Sequence, residues 1–285
     1  MSIFSGIWIP IVTPFADGSV DHEALRQLVG VYADAGVSGL VALGTTGEPA
    51  ALDAREQDAV LATILDAAGA LPVLAGVSGN REASVRERIR HLNERPVAGV
   101  LVSAPYYIRP AQRGLIGYFT GLADLSTKPV VLYDIPARTG VRLETDTLLT
   151  LAAHPRIEAI KDCAGSLDTR LALILDGRLK VLAGDDIDIF PTLCLGGSGA
   201  ISASAHLRPE RFVALYRAVA AGRLDEARAI YHTLVPLIHA LTAEPNPGPV
   251  KAALAAQGLL RDELRAPMTS VTDDLRRRLA QLVAM

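Results

Sequence analysis

The chain has 285 residues, with 28 Lys and Arg against 31 Asp and Glu for a formal net charge of −3, and 50% of its residues are hydrophobic. That length suits one barrel-sized domain or two small ones, and the apolar content excludes a chain that is mainly disordered. The near-neutral balance gives no electrostatic footprint for duplex nucleic acid or an anionic membrane, so small molecules are the expected partners.

Cys163 and Cys194 cannot build a disulfide framework, and neither sits in a CxxC. The opening Met-Ser-Ile-Phe-Ser-Gly-Ile-Trp lacks the basic n-region and unbroken apolar run of a secretory signal. The most membrane-like stretch, residues 59–77, is broken by Asp66 and by the Gly69–Pro72 segment, which predicts a helix, a turn and a strand rather than a span. The expectation is a cytoplasmic protein without a membrane segment.

In chain order, residues 8–12 read as a strand and 21–35 as a helix capped by Asp21, with Leu25, Leu28, Val29 and Tyr32 on one stripe. A strand at 39–43, a helix at 53–68, a strand at 72–75 and a helix at 82–92 follow. Further strands are expected at 99–102, 129–133, 157–160, 180–183 and 200–202. These runs are nearly all apolar rather than alternating, as strands covered on both faces should be. Eight strand–helix units predict an α/β fold, an eight-stranded parallel (β/α) TIM barrel. Beyond residue 202 the strand signals stop, and 209–221, 224–241, 249–257 and 272–283 all read as helices. The expected division is a barrel catalytic domain over 1–222 and a C-terminal helical region over 223–285.

A barrel of this kind carries its site at the C-terminal ends of its strands. Lys161 closes the sixth apolar run, where burial would lower its pKa and a neutral amine could attack a carbonyl to form a Schiff base. The plainer alternative is a strand-end lysine that reaches solvent or pairs with Asp162. Gly44-Thr45-Thr46-Gly47 offers backbone N–H groups and two hydroxyls to a carboxylate or phosphate, or is merely a strand-to-helix turn. Gly196-Gly197-Ser198-Gly199 is a second such segment. Tyr133 and Tyr107 could move protons or pack as ordinary aromatics, and Arg138 could reach over the mouth or lie in solvent. The six histidines show no HExxH spacing, and no GxGxxG, Walker-type or GxSxG motif is present. No metal and no cofactor are expected.

Gly44-Thr45-Thr46-Gly47-Glu48, Pro105-Tyr106-Tyr107, Tyr133 through Gly140, Ile160-Lys161-Asp162, Gly184-Asp185-Asp186 and Gly196 through Ser202 stand in this order along the chain. In that order, with Asn246-Pro247 through Lys251 in the tail, the sequence resembles the dihydrodipicolinate synthase/N-acetylneuraminate lyase family over almost its whole length. The resemblance implies a barrel enzyme working on pyruvate through a lysine Schiff base, here at Lys161. It implies that Thr45 and Thr46 hold the pyruvate carboxylate, and that Tyr133 shuttles protons through Thr45 to a Tyr107 supplied by a neighbouring subunit. Gly184 and Ile201 would present backbone carbonyls near the substrate, and Arg138 would bind the carboxylate of the second substrate.

Thr45, Arg138 in Pro-x-Arg-Thr-Gly and the Asn-Pro-x-Pro-Val-Lys tail are similar to the synthase branch. That branch condenses pyruvate with L-aspartate 4-semialdehyde to 4-hydroxy-tetrahydrodipicolinate, on the route to diaminopimelate and lysine, as a homotetramer built as a dimer of dimers. Ile108 and Pro49 depart from the branch's usual Asn and Ser, which keeps a pyruvate-dependent aldolase or dehydratase acting on a sugar acid or another aldehyde as the alternative. Ala54, Gln57 and Ser84 stand where lysine-inhibited members carry two histidines and a glutamate, so weak or no inhibition by L-lysine is expected.

Overall fold

The structure, a computed structural model, describes residues 3–284; residues 1, 2 and 285, at the outer ends of the two expected segments, lie outside the described residues. The described residues form ten strands: β1 (Gly6–Ile9), β2 (Phe15–Ala16), β3 (Ser19–Val20), β4 (Gly39–Ala42), β5 (Val73–Val77), β6 (Gly99–Ser103), β7 (Val130–Asp134), β8 (Ile157–Asp162), β9 (Lys180–Ala183) and β10 (Gly199–Ile201). Eight of them close a barrel in the order β1-β10-β9-β8-β7-β6-β5-β4, with parallel pairing between neighbours. This is the predicted TIM barrel.

The strands fall within a residue or two of their sequence signals, and the largest departure has a covalent cause. β1 stops at Ile9, short of the expected 12, because Pro10 has no N–H to extend the ladder. β2 and β3 lie outside the expected strands. They form an antiparallel hairpin around Asp17-Gly18, whose φ angles of 52° and 80° are those of a two-residue primed turn.

Two compact units divide the described residues. One, residues 3–6 and 74–201, contains β6 to β9 and the helices between them: α3 (Glu82–Asn93), α4 (Gln112–Leu125), α5 (Pro136–Thr139), α6 (Thr145–Leu151), α7 (Leu167–Asp176) and α8 (Ile189–Cys194). Its strands are buried throughout their middles, each interior Val or Leu contributing about 1.5–3 kcal/mol. The second unit, residues 7–73 and 202–284, holds β2 to β4 with α1 (His22–Asp34) and α2 (Ala54–Ala68). It also holds α9 (Pro209–Ala220), α10 (Leu224–Leu241), α11 (Gly248–Ala256) and α12 (Asp273–Ala284).

Caps fix where the second unit's helices begin. Asp21 accepts from Ala24 N at 3.0 Å, and Asp53 with Glu56 forms a reciprocal capping box at 2.8 and 3.0 Å, each worth about 1 kcal/mol. Trp8 lies in register with Gly39, and a Cβ at 39 would fall inside its ring, so only glycine admits the indole there. The tail is bound to the β2–β3 hairpin through Arg265, which pairs with Glu56 at 2.6 Å and donates to Gly18 O at 2.8 Å.

Candidate active site

β7 and β8 run in register, so that Tyr133 stands opposite Lys161 and Asp134 opposite Asp162. Lys161 is 6% exposed and Tyr133 7%. The lysine Nζ lies 4.5 Å from the centre of the Tyr133 ring, and the two side chains are hydrogen-bonded. An amine and a phenol in such contact can pass one proton between them, which is what a lysine needs in order to become a nucleophile and later to be released.

The electrostatics correct one expectation. Burial does act to lower the Lys161 pKa, but the charge interactions with Tyr133, Cys163 and Asp186, and the hydrogen bond to Tyr133, outweigh it, and the net shift is upward. Sequence position alone captures the desolvation and misses the acidic groups that surround it.

Gly184, after β9, explains how the lysine stem fits. A Cβ at 184 would collide with Cys163 Sγ and lie 2.9 Å from Lys161 Cγ. Cys163 is not among the expected site residues. Two positions beyond Lys161, it returns to the same face of the strand, and that period was the available signal.

The pleat turns the intervening carboxylates to the opposite face. There the buried Arg170 of α7 bridges Asp162 at 2.8 Å and Asp188 at 2.7 Å, tying the end of β8 to the segment after β9. Asp134 Oδ1 accepts from Leu143 N at 3.1 Å, while its Oδ2 is buried with no hydrogen-bond partner among the described residues. Burial, followed by the nearby Asp162 charge, pushes its pKa up to about 7 against the opposing Leu143 hydrogen bond and the Arg142 charge.

In the second unit, the 3₁₀ turn Thr45–Gly47 follows β4 directly. Thr46 is buried, and its Oγ1 accepts from Asn246 Nδ2 at 3.0 Å. The turn is tied down through Gly47 O, which accepts from Thr13 Oγ1 at 2.7 Å. Glu48 follows with φ 53°, and its buried carboxylate meets Lys251 Nζ at 2.5 Å. Asn246 and Lys251 enter the sequence reading only as family markers.

The remaining expected residues are placed as follows. Ile201 is the last, fully buried residue of β10. Arg138 is exposed on α5, the turn that continues β7. Tyr107 has φ 72°, donates its N–H to Thr139 O at 3.2 Å beside that turn, and is 85% exposed. Lys161, Tyr133 and Gly184 thus form one cluster and Thr46 belongs to another, while Tyr107 and Arg138 hold adjacent surface segments. Among the described residues no group of His, Cys, Asp and Glu is arranged to hold a metal ion, and no helix is long and apolar enough to cross a membrane.

A parallel eight-stranded barrel with a buried lysine ending one strand and a tyrosine in register beside it defines a class of barrel suited to covalent chemistry on carbonyl substrates. The Dihydrodipicolinate synthetase family model matches residues 3–285, and the chain belongs to that family. It is 39% identical over 284 residues to a 4-hydroxy-tetrahydrodipicolinate synthase of Syntrophus aciditrophicus, covering 99% of this chain and 98% of that one. Its fold is similar to that of dihydrodipicolinate synthase from Thermotoga maritima, with TM-score 0.96 and 30% identity over 99% of this chain and 98% of the other. The chloride-inhibited enzyme from Acinetobacter baumannii, solved with pyruvate, matches with TM-score 0.95 and 33% identity over 98% of both chains.

Proposed function

We propose that this chain condenses pyruvate with L-aspartate 4-semialdehyde to give 4-hydroxy-tetrahydrodipicolinate, the step that enters diaminopimelate and lysine synthesis. The observation that carries the reading is the buried Lys161 hydrogen-bonded to Tyr133 in register on the adjacent strand. Family membership names the substrates. The lysine amine, once its proton has passed to Tyr133, attacks the pyruvate ketone and loses water to give the imine. Loss of a methyl proton from the imine gives an enamine, whose carbon adds to the aldehyde. Attack of the semialdehyde's own amino group on the imine closes the ring and frees Lys161. Thr45 and Thr46 take the pyruvate carboxylate, Gly184 and Ile201 present backbone carbonyls to substrate and lysine, and Arg138 takes the carboxylate of the semialdehyde.

Tyr107 and the oligomer belong to the same proposal. A tyrosine ring exposed in the single chain cannot complete a water-excluding proton relay alone, and a neighbouring subunit is the simplest source of cover. Leu167, Leu171 and Leu175, spaced by four on α7, are also exposed and give a second apolar face, in keeping with a homotetramer made as a dimer of dimers in the cytoplasm.

The test is reduction with borohydride in the presence of pyruvate, followed by peptide mapping, and then a condensation assay. The pyruvate adduct is expected on the peptide containing Lys161 and absent from Lys161→Ala. An adduct on Lys180 or Lys251 would overturn the assignment of the lysine. Turnover with a sugar-acid aldehyde in preference to the semialdehyde would move the chain to the other branch of pyruvate chemistry.

A further inference from the structure

The segment Asn246-Pro247-Gly248-Pro249-Val250-Lys251 takes no part in the chemistry just described, yet it touches the Thr46–Glu48 stretch at two points. Asn246 Nδ2 donates to Thr46 Oγ1 at 3.0 Å across 200 residues of sequence. Five residues later Lys251, fully buried, reaches Glu48 at 2.5 Å, only two residues beyond that threonine. The same ammonium donates to Glu263 O at 2.9 Å and sits 4.0 Å from the centre of the Phe15 ring, so its position is determined from several sides.

Each contact has a consequence for an anion bound at the turn. A hydroxyl carries one proton and two lone pairs. An amide N–H donated to Thr46 Oγ1 occupies a lone pair and leaves the proton to be donated elsewhere, the orientation that a carboxylate requires. Asn246 Oδ1, buried and without a hydrogen-bond partner among the described residues, does not compete for that proton. Glu48 presents the opposite problem. A buried carboxylate so near the turn would repel a second carboxylate, and in a low-dielectric setting that repulsion is large unless a counter-charge lies in contact with it. Lys251 is that counter-charge.

We propose that Asn246 and Lys251 are positioning residues for the 2-oxo acid carboxylate, Asn246 by holding the Thr46 hydroxyl as a donor and Lys251 by cancelling Glu48 beside it. The inference rests on the reading of Thr45 and Thr46 as the carboxylate cradle. It assigns to the C-terminal helical segment a part in choosing an anionic ketone over a neutral one.

The experiment is steady-state kinetics with pyruvate varied, read as KM against kcat. Thr46→Val tests the underlying reading and is expected to raise KM for pyruvate; no change in KM would remove the cradle itself, and this inference with it. Asn246→Asp, nearly isosteric, takes the Thr46 proton and adds a negative charge, so KM is expected to rise by about 10- to 100-fold, the effect of losing a hydrogen bond to a charged group, with kcat nearly preserved. Asn246→Ala, which removes the donor without adding charge, should raise KM by less. Lys251→Met should raise KM, and Lys251→Met with Glu48→Gln should return it to near the wild-type value because the uncompensated charge is gone. Should the single Lys251 variant fail to fold, the double variant is compared with wild type directly. A responsive Thr46→Val together with an unchanged KM in Asn246→Asp would overturn the Asn246 assignment alone, as would a fall in kcat at constant KM. Failure of the double variant to approach wild type would overturn the assignment of Lys251.

Discussion

Asp134 offers the sharpest test of the electrostatics at the end of β7. It is buried at the end of β7, one residue beyond Tyr133, with one oxygen on Leu143 N and the other without a hydrogen-bond partner among the described residues. Replacement by Asn keeps the shape and the acceptor for Leu143 N–H while removing the titration. The native pKa of about 7 stands about 3 units above the ordinary 3.8, and at ~1.4 kcal/mol per unit the full effect is ~4 kcal/mol. The sign follows from linkage. Between those two pKa values the folded carboxyl holds a proton that the unfolded chain releases, so stability is greatest below the unfolded pKa and is lost as pH rises through the folded one. The Asp134→Asn variant suffers no such loss. Urea unfolding of wild type and Asp134→Asn at one chain concentration should therefore show the variant gaining ~1.4 kcal/mol on wild type per pH unit from about pH 5 to about pH 7, with a plateau above. A stability difference that stays constant over that range would show that Asp134 titrates as in an open chain, and the account of its burial beside Asp162 would fail.

Other outcomes follow from the same geometry. Gly184→Ala should lose at least about tenfold in borohydride-trapped pyruvate adduct, because the new methyl displaces Cys163 Sγ and the Lys161 stem; adding Cys163→Ala, which removes the sulfur, should recover part of it. His206 is buried and neutral, its Nε2 accepting from Val12 N at 3.2 Å and its Nδ1 facing Ala203 O at 2.8 Å, and burial lowers its pKa to about 4. A base whose folded pKa is depressed loses stability as pH falls from about 6.5 to about 4, so wild type should weaken relative to His206→Gln by ~1.4 kcal/mol per unit across that window in urea titrations. L-Lysine titrated into the condensation reaction at saturating pyruvate should inhibit weakly or not at all. Gln57 donates to Pro49 O and Leu52 O, Ser84 accepts from Arg81, and neither side chain carries a charge to pair with the ammonium groups of lysine; strong inhibition at sub-millimolar lysine would overturn that expectation.

Much of this molecule is determined by short-range sequence. Runs such as Gly99–Ser103 and Val130–Asp134 are apolar on both faces up to their final residues, and only a sheet covered on both sides accommodates that. Asp21 and Asp53 mark their helix starts because the caps lie within three residues of the groups they satisfy. The placing of Lys161 near a strand end is legible for the same local reason. The hairpin at Asp17-Gly18 has no counterpart among the sequence expectations, because the two-residue strands beside it are too short to give a pattern of their own. What tertiary structure decided is everything that depends on groups distant in the chain. The register that sets Tyr133 against Lys161, the bridge from Arg170 to both Asp162 and Asp188, and the hydrogen bond from Asn246 to Thr46 join segments whose separation carries no local signal. The direction of the Lys161 shift belongs with them. A pKa is the balance of desolvation against every charge in reach, and while burial could be inferred from the strand, the phenol, thiol and carboxylate that reverse its effect are brought to the amine only by the fold.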